Sequence, residues 1–259
     1  MKKSFLLLVI FNIVFLGIAQ CPLRGSKYEL DGNEEQFFCS ILFIDDEYYM
    51  ELSYNATEDI VYSLVLSYGN YFVKDSLVKL KDKIFGCEIF LSFNNKSNFL
   101  EVKKGFAFMS NRCFNYYGKS YEDDILITNH KDSAALSEER QRYVEKHTDL
   151  LPLSIGLYGS DSPFEYKLSL QEQQFYQLSY FDIILSKGQW KREGNILHLC
   201  DTTLNCTFHL LIGDGVLISK LLPGDDSGGF VLKKKSDNNP VTPPKRGFGC
   251  SRRCENKTN

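Results

Sequence analysis

The chain has 259 residues, a formal net charge of −3 and 43% hydrophobic residues, and its aromatic residues include 20 Phe and 15 Tyr. A charge this close to neutral argues against a general nucleic-acid binder, which is normally strongly basic. The many aromatic side chains favour strands over helices. The length suits one large domain or two small ones.

The first 19 residues have the pattern of a secretory signal peptide. Two lysines precede an apolar run from residue 5 to 16, and small residues then prepare cleavage after Ala19. The run is too short for a transmembrane helix. Lipidation of Cys21 is an alternative, but Gln20 stands where that processing requires a small residue. The pattern predicts an exported protein, periplasmic or extracellular, with a lipid-anchored form less favoured.

The two halves of the remaining chain repeat each other. Ser67 to Cys87 aligns without a gap on Ser186 to Cys206, which lies 119 residues later. Upstream, Tyr49 to Tyr54 aligns on Phe175 to Tyr180, at a spacing seven residues longer. Several segments that recur in one order predict tandem copies of one structural unit.

Each copy has the pattern of a series of short strands. Apolar and polar residues alternate from Tyr166 to Leu170, which is the period of a half-buried strand. Short strands at roughly ten-residue spacing predict an antiparallel meander, closed or half-closed as a barrel or sandwich. The predicted fold class is all-β, with two tandem small antiparallel β-barrel modules joined by one α-helix. We assign residues 20–115 to the first module and 151–235 to the second.

A linker at residues 116–150 contains the best helix pattern. Ala134 to Lys146 is rich in Glu, Arg, Gln and Ala, and Asp132 or Ser133 is available to cap its first turn. The tail at residues 236–259 is polar and contains prolines, which predicts a flexible segment.

Export gives the cysteines a specific meaning, because an even number in an oxidising compartment predicts disulfides rather than a metal cluster. The spacing favours a Cys200–Cys206 bond across a hairpin turn. Cys87 is the counterpart of Cys206, but its own hairpin carries Lys81 in place of a second cysteine. Cys87 is therefore expected to pair elsewhere, with Cys113 as the candidate. The remaining disulfide candidates are Cys21 and Cys39, and also Cys250 and Cys254, which would close a small loop in the tail.

One stretch resembles a catalytic motif. Gly224 to Gly229 is similar to the sequence around the nucleophile of chymotrypsin-like serine proteases, with Ser227 as the nucleophile. That chemistry needs a general-base histidine, supplied in that family from the first barrel, and the chain has none before His130. A polar turn before the last strand is the preferred interpretation.

Two other pairs of residues each have two interpretations. His198 and His209 flank one hairpin and are candidate metal ligands, but their neighbours point inward and both are predicted to face solvent. Tyr71 and Trp190 hold equivalent places in the repeat and are predicted as core aromatics, with the floor of a ligand pocket as the alternative. No catalytic residue, cofactor or metal site is predicted.

The second copy has an outline similar to that of a known family. Its segments are Gly156-Leu157-Tyr158, Leu168-Ser169-Leu170, Tyr176-Gln177-Leu178-Ser179-Tyr180, Gly188-Gln189-Trp190 and Gly194-Asn195-Ile196, followed by Asp201 and Leu217. This outline resembles the N-terminal domain of NlpE-type envelope lipoproteins and, more broadly, the lipocalin-like small barrels of exported bacterial proteins. The resemblance implies a small lipocalin-like barrel. Copper binding and membrane anchoring are not implied, because the chain lacks the Cys-x-x-Cys of the best-known members.

These observations predict a non-enzymatic exported bacterial envelope protein whose two lipocalin-like modules bind a small apolar ligand or a protein partner. One alternative is a secreted hydrolase that uses Ser227. Another is a secreted protease inhibitor that presents the loop from Asn55 to Ile60. An open barrel interior would favour a small ligand, and a filled one would favour surface interactions.

Overall fold

The structure, a computed structural model, describes residues 23–32, 36–58, 60–119, 121, 133–160, 165–219 and 230–236. These residues form two closed, eight-stranded antiparallel barrels and one α-helix. The predicted all-β fold, with two barrel modules and a helix, is confirmed. Most of the predicted flexible tail (residues 237–259) and all of the predicted signal peptide lie outside the described residues.

The first barrel is a simple meander. Its strands are β1 (Ser26–Leu30), β2 (Phe37–Ile44), β3 (Glu47–Asn55), β4 (Val61–Lys74), β5 (Leu77–Asp82), β6 (Glu88–Asn94), β7 (Phe99–Lys104) and β8 (Cys113–Lys119). Each strand pairs with the next, and β8 closes the barrel against β1. A 3-10 helix at Ala107–Met109 lies between β7 and β8.

The helix α1 (Ser133–Lys146) precedes a second barrel of the same kind, as the sequence predicts. The strands of this barrel are β9 (Gly156–Gly159), β10 (Tyr166–Leu170), β11 (Phe175–Tyr180), β12 (Ile183–Glu193), β13 (Ile196–Asp201), β14 (Cys206–Ile212), β15 (Val216–Ser219) and β16 (Phe230–Ser236). Here β9 closes the barrel by pairing with both β10 and β16.

The two barrels have the same strand register around one equivalent glycine in each. Gly69 faces Asp82 across β4 and β5, and Gly188 faces Asp201 across β12 and β13. A Cβ atom on Gly69 would lie 2.0 Å from the carbonyl oxygen of Lys81, and one on Gly188 would lie 2.0 Å from that of Cys200. Neighbouring backbones approach so closely here that only glycine fits. The 119-residue spacing therefore relates equivalent positions of two copies.

Upstream, the alignment made from the sequence is wrong by two residues. Tyr48 faces Gly69 in the first barrel, and Tyr176 faces Gly188 in the second. Tyr176 is therefore the counterpart of Tyr48, whereas the sequence alignment matched it with Met50. Side chains alternate along a strand with period two, so a shift of two residues preserves the pattern of buried and exposed positions. Alternation alone cannot detect it.

The barrels contact each other through aromatic side chains at their turns. Phe181, between β11 and β12, stacks on Tyr54 with ring centroids 3.8 Å apart and lies 5.9 Å from the Tyr62 ring. Phe85, between β5 and β6, packs edge-on against Phe208 at 4.9 Å. As a result, the buried side chains of both barrels form one continuous hydrophobic cluster.

One asparagine ties the linker to the second barrel. Asn195, in the turn between β12 and β13, is only 3% exposed. Its side-chain nitrogen donates to the carbonyl oxygens of His147 (3.0 Å) and Asp149 (2.7 Å). Its oxygen accepts from the backbone N–H of Leu151 (2.9 Å) and from the guanidinium of Arg192 (3.2 Å). A single buried amide thus holds the segment between α1 and β9.

Replacing Asn195 with Ala should release that segment. The substitution removes all four hydrogen bonds and leaves buried polar groups without partners. We therefore expect the free energy of unfolding to fall by about 2 kcal/mol. Amide hydrogen exchange of residues 147–151, followed by mass spectrometry, should become faster. Asn70→Ala is the control, because the Asn70 amide makes only an exposed contact of 3.5 Å. Unchanged protection in Asn195→Ala would contradict this role.

Candidate functional site

The interior of each barrel is filled by its own side chains. Many inward-pointing residues have no accessible surface, among them Ile41, Phe43, Tyr48, Met50, Leu52, Leu80 and Leu91 in the first barrel and Tyr166, Leu168, Leu170, Leu197 and Leu217 in the second. A ligand-sized space would leave accessible surface on the side chains that line it. An eight-stranded barrel is just wide enough for its own side chains to fill. The residues named leave no such space among themselves.

Tyr71 and Trp190 each fasten a strand to a nearby hairpin turn. The Tyr71 hydroxyl donates to the carbonyl oxygen of Asp45 (2.9 Å), and the Tyr71 ring packs edge-on against Phe43 at 4.8 Å. The Trp190 indole N–H donates to the carbonyl oxygen of Gln171 (3.2 Å), and its ring packs against the core cluster. The structure places both rings in packing positions.

The first barrel contains a buried Tyr–Ser–Asp chain that the sequence analysis missed. The Tyr48 hydroxyl lies 2.7 Å from Ser67 Oγ, which donates to Asp82 Oδ1 at 2.8 Å. Burial raises the pKa of Asp82 to about 6, although hydrogen bonds from the Phe85 N–H and the Ser67 hydroxyl act in the opposite direction. Ser and Asp recur in both copies at the 119-residue spacing, but the misalignment of β3 hid the tyrosine.

The second barrel repeats the same chain. Tyr176 lies 2.6 Å from Ser186 Oγ, which donates to Asp201 at 2.5 Å. Asp201 also accepts from the backbone N–H groups of Thr203 (2.7 Å) and Leu204 (2.6 Å). These residue types can relay protons, but all three side chains are buried and a substrate cannot reach them. The chain holds the turn after β13 in place.

The outer surface of the first barrel carries a lysine–phenylalanine face, formed by Phe72, Lys79, Lys81, Phe90 and Lys104 on β4 to β7. The Lys81 ammonium lies 5.1 Å from the centre of the Phe72 ring. The ammonium groups of Lys79 and Lys104 lie 5.8 and 5.6 Å from the centre of the Phe90 ring. Phe72 is nevertheless 51% exposed. This exposed aromatic ring among cations is the candidate contact site for another molecule.

Charge on this face is not balanced. Glu88 forms an ion pair with Lys79 at 2.6 Å, and the hydrogen bond from Lys79 lowers the pKa of Glu88. Within the described ranges, Lys81 and Lys104 have no ion-pair partner. The lysine–phenylalanine face therefore has a surplus of positive charge.

The equivalent surface of the second barrel carries two histidines. His198 and His209 face each other across β13 and β14, as Lys79 and Phe90 do across β5 and β6. Their ring nitrogens lie 3.1 Å apart. Both rings point outward, as expected from their buried neighbours, but they are only partly exposed to solvent. Burial lowers the pKa of His198, and it lowers the pKa of His209 to about 4.

The helix α1 explains why these histidines are shielded. Arg140 of α1 lies close enough to His198 and His209 to lower the pKa of both rings further. The Tyr143 hydroxyl donates to the carbonyl oxygen of Ile212 at the end of β14 (2.7 Å). The second barrel therefore holds a helix beside the surface whose equivalent in the first barrel is the lysine–phenylalanine face.

The structure contradicts the predicted Cys200–Cys206 disulfide across the β13–β14 hairpin. Cys200 and Cys206 are both thiols. Cys200 lies opposite Thr207, and Cys206 lies opposite Asp201. Because successive side chains point to opposite faces of a strand, the two thiols lie on opposite faces of the hairpin.

The pairing of Cys87 with Cys113 is also wrong. Cys87 is a thiol. Cys113 is disulfide-bonded, and Cys87 is not its partner. Cys39 is fully buried in the first barrel, and burial raises the pKa of its thiol. The predictions that involve Cys21, Cys250, Cys254 and Ser227 fall on residues that the structure does not describe.

The described residues contain neither a metal-binding cluster nor a membrane-spanning helix. Among the described residues, no group of three or more His, Cys, Asp or Glu side chains is arranged to hold a metal ion. Over the same ranges, no helix has the length and apolar character needed to cross a membrane.

Comparisons with known proteins give no family. No protein-family model and no curated protein matches the chain. Among solved structures, it is similar to a protein with unknown function from the DUF3598 family of Nostoc punctiforme, with 10% identity and a TM-score of 0.20 over 80% of this chain and 91% of that one. It is also similar to the DNA polymerase sliding clamp of Bacillus subtilis, with 8% identity and a TM-score of 0.17 over 86% of this chain and 59% of the clamp. Likenesses this weak carry no functional argument.

Proposed function

We propose that this chain is a non-enzymatic exported protein that binds a protein partner through the lysine–phenylalanine face of its first barrel. The partner element in this proposal is an amphipathic helix that carries acidic residues. The modules are proposed to be lipocalin-like, which is supported by eight antiparallel strands that follow each other around a closed barrel. Export is supported by the signal-peptide pattern of the first 19 residues.

The observation that carries the proposal is the exposed Phe72 ring among unbalanced lysines. Interfaces are enriched in aromatic side chains that become buried on binding. The surplus charge of Lys81 and Lys104 would attract carboxylates and select against basic partners. Side chains that fill the barrel interiors make the surface the better place for recognition.

A helical partner is favoured by the fold itself. In the second barrel, α1 lies beside the equivalent surface and shields His198 and His209. A helix with apolar residues on one side could contact Phe72 and Phe90 in the same way. Acidic residues that flank its apolar stripe would then reach Lys81 and Lys104.

Photo-cross-linking in the native host tests this proposal. A photoreactive phenylalanine analogue at position 72 of the full chain should give one discrete protein adduct after irradiation. The same analogue at Phe175 is the matched control, since Phe175 is 44% exposed on the second barrel. Mass spectrometry should identify the cross-linked partner segment as an acidic amphipathic helix. The double variant Lys81→Glu, Lys104→Glu should reduce the adduct about tenfold or more.

Several results would overturn the proposal. These are the absence of an adduct, an adduct within the same chain or with a second copy of it, and an adduct yield that charge reversal leaves unchanged. Lys167→Glu provides the charge-reversal control, because Lys167 pairs with Glu165 on the second barrel and should leave the yield unchanged. Labelling of Ser227 by a fluorophosphonate would separately contradict the proposal that the protein is not an enzyme.

A further inference from the structure

Two cysteine thiols meet where the barrels contact each other. Cys87 immediately precedes β6 and Cys206 begins β14, so they are equivalent positions of the repeat. The Cys206 thiol lies close enough to Cys87 to be the largest cause that raises the pKa of the Cys87 thiol, and the rings of Phe85 and Phe208 beside them are in contact. Cys87 belongs to the continuous cluster that the two barrels share, and Cys206 packs against that cluster.

The surroundings hold the thiols in place. Cys87 is 5% exposed, and the Phe85 ring two residues earlier packs on Phe208, two residues after Cys206, at 4.9 Å. Phe85 also packs edge-on against Phe106, beside the 3-10 helix, at 5.7 Å. The contact between Phe85 and Phe208 therefore joins the two barrels beside the two thiols.

We propose that Cys87 and Cys206 form a disulfide that joins the two barrels when the protein meets a small-molecule disulfide oxidant. The inference stands independently of the lysine–phenylalanine face. It replaces both pairings that the sequence suggested for these residues. Cys200 is not a competitor in the folded chain, because it lies on the other face of its hairpin.

The chemistry balances with oxidised glutathione as the oxidant. The thiolate of Cys206, the less buried of the two, attacks one sulfur of the oxidant and releases one glutathione thiolate. The thiolate of Cys87 then attacks the Cys206 sulfur of the mixed disulfide and releases a second. The protein loses two protons and two electrons, and two glutathione molecules are produced. The two protons pass to solvent. Before the reaction, the Cys87 thiol donates a hydrogen bond to Asp82 Oδ2 at 3.9 Å.

The bond would change the stability of the whole chain. It closes a loop of 119 residues, and cross-links across long loops restrict the unfolded state strongly. Oxidation should therefore raise the melting temperature by roughly 10 °C. Dithiothreitol should reverse the increase.

Peptide mapping of the full chain after treatment with oxidised glutathione tests the inference. Under non-reducing conditions, the digest should contain one peptide pair that joins Cys87 to Cys206, and the two thiols should disappear together. Cys200→Ser is the matched control on the same hairpin and should keep both the linked pair and the rise in melting temperature. Cys206→Ser should abolish the linked pair, with folding checked by circular dichroism.

The unfolded chain provides a contrasting reference. In concentrated urea, proximity along the chain should favour the Cys200–Cys206 pair, whose loop is short. A Cys200–Cys206 linked peptide from the native protein would overturn the inference. So would free thiols at both Cys87 and Cys206 after treatment with oxidised glutathione. The native peptide map decides the question even if Cys206→Ser fails to fold.

Discussion

Gly69→Ala should lower the free energy of unfolding of the first barrel by about 3 kcal/mol. The new methyl group would lie 2.0 Å from the Lys81 carbonyl oxygen, which is well inside van der Waals contact. Both atoms belong to backbones of paired strands, so no change of rotamer relieves the clash. The strands must separate, and the pairing of Gly69 with Asp82 must weaken.

Urea unfolding followed by circular dichroism measures this effect. Gly118→Ala is the control in the same barrel, because a Cβ atom on Gly118 would meet nothing within 4 Å. It should change stability by about 0.5 kcal/mol or less. Gly188→Ala should behave like Gly69→Ala, because its Cβ atom would lie 2.0 Å from the Cys200 carbonyl oxygen. Equal stability of Gly69→Ala and Gly118→Ala would refute the close approach.

Asp82 should make the first barrel less stable as the pH rises from about 4 to about 6. Burial raises its pKa from 3.8 to about 6 in the folded chain. Between these values the unfolded chain has lost the proton and the folded chain still holds it, so unfolding becomes easier. The shift corresponds to about 3 kcal/mol, fully present below pH 4 and lost above pH 6.

His209 should act in the opposite direction over the same range. Burial lowers its pKa from 6.5 to about 4, so it stabilises the fold above pH 6.5 and this contribution is lost as the pH falls towards 4. The two effects partly cancel in the wild-type chain. Single variants are needed to separate them.

A pair of variants separates the two groups by urea unfolding at pH 4, 5, 6 and 7. Relative to the wild-type chain, Asp82→Asn should show a steeper rise of stability with pH, because the buried carboxyl no longer opposes it. His209→Gln should show a shallower rise, because one of the groups with a lowered pKa is gone while His198 and Glu88 still titrate. Identical pH profiles for the two variants would show that neither assignment is right.

A buried Tyr–Ser–Asp chain in each barrel shows how the two copies have kept structure while their surfaces diverged. In both copies the serine donates to the buried aspartate, and the aspartate accepts a backbone N–H of the turn that follows. The outer face is free of that constraint. Lys79 and Phe90 of one copy correspond to His198 and His209 of the other, and only the second copy has a helix beside them.

The lysine–phenylalanine face could not be predicted from the sequence, for a geometric reason. Phe72, Lys81, Phe90 and Lys104 lie on four different strands, and nothing in their spacing marks them as neighbours. A basic run is visible in a sequence only when its residues are adjacent. Closure of the barrel brings the four side chains together on one face.

The sequence by itself determined the two-barrel fold and the position of the helix. Alternation with period two and a repeat without gaps from Ser67 to Cys87 depend only on local geometry and chain order. The exact register was not determined, because the two-residue error in aligning Tyr176 leaves every side chain on the same face and so does not change the alternation. Local sequence patterns therefore predict where a strand or helix lies better than they predict which residues it pairs with.

Only the tertiary structure decided which side chains meet. Cys206 lies six residues from Cys200 along the chain, yet its thiol contacts Cys87 of the other barrel. His198 and His209 are partly buried because a helix from the linker lies beside them. Contacts of this kind depend on how one barrel or helix docks on another. Docking is governed by surface shape and burial, which no local pattern of residues records.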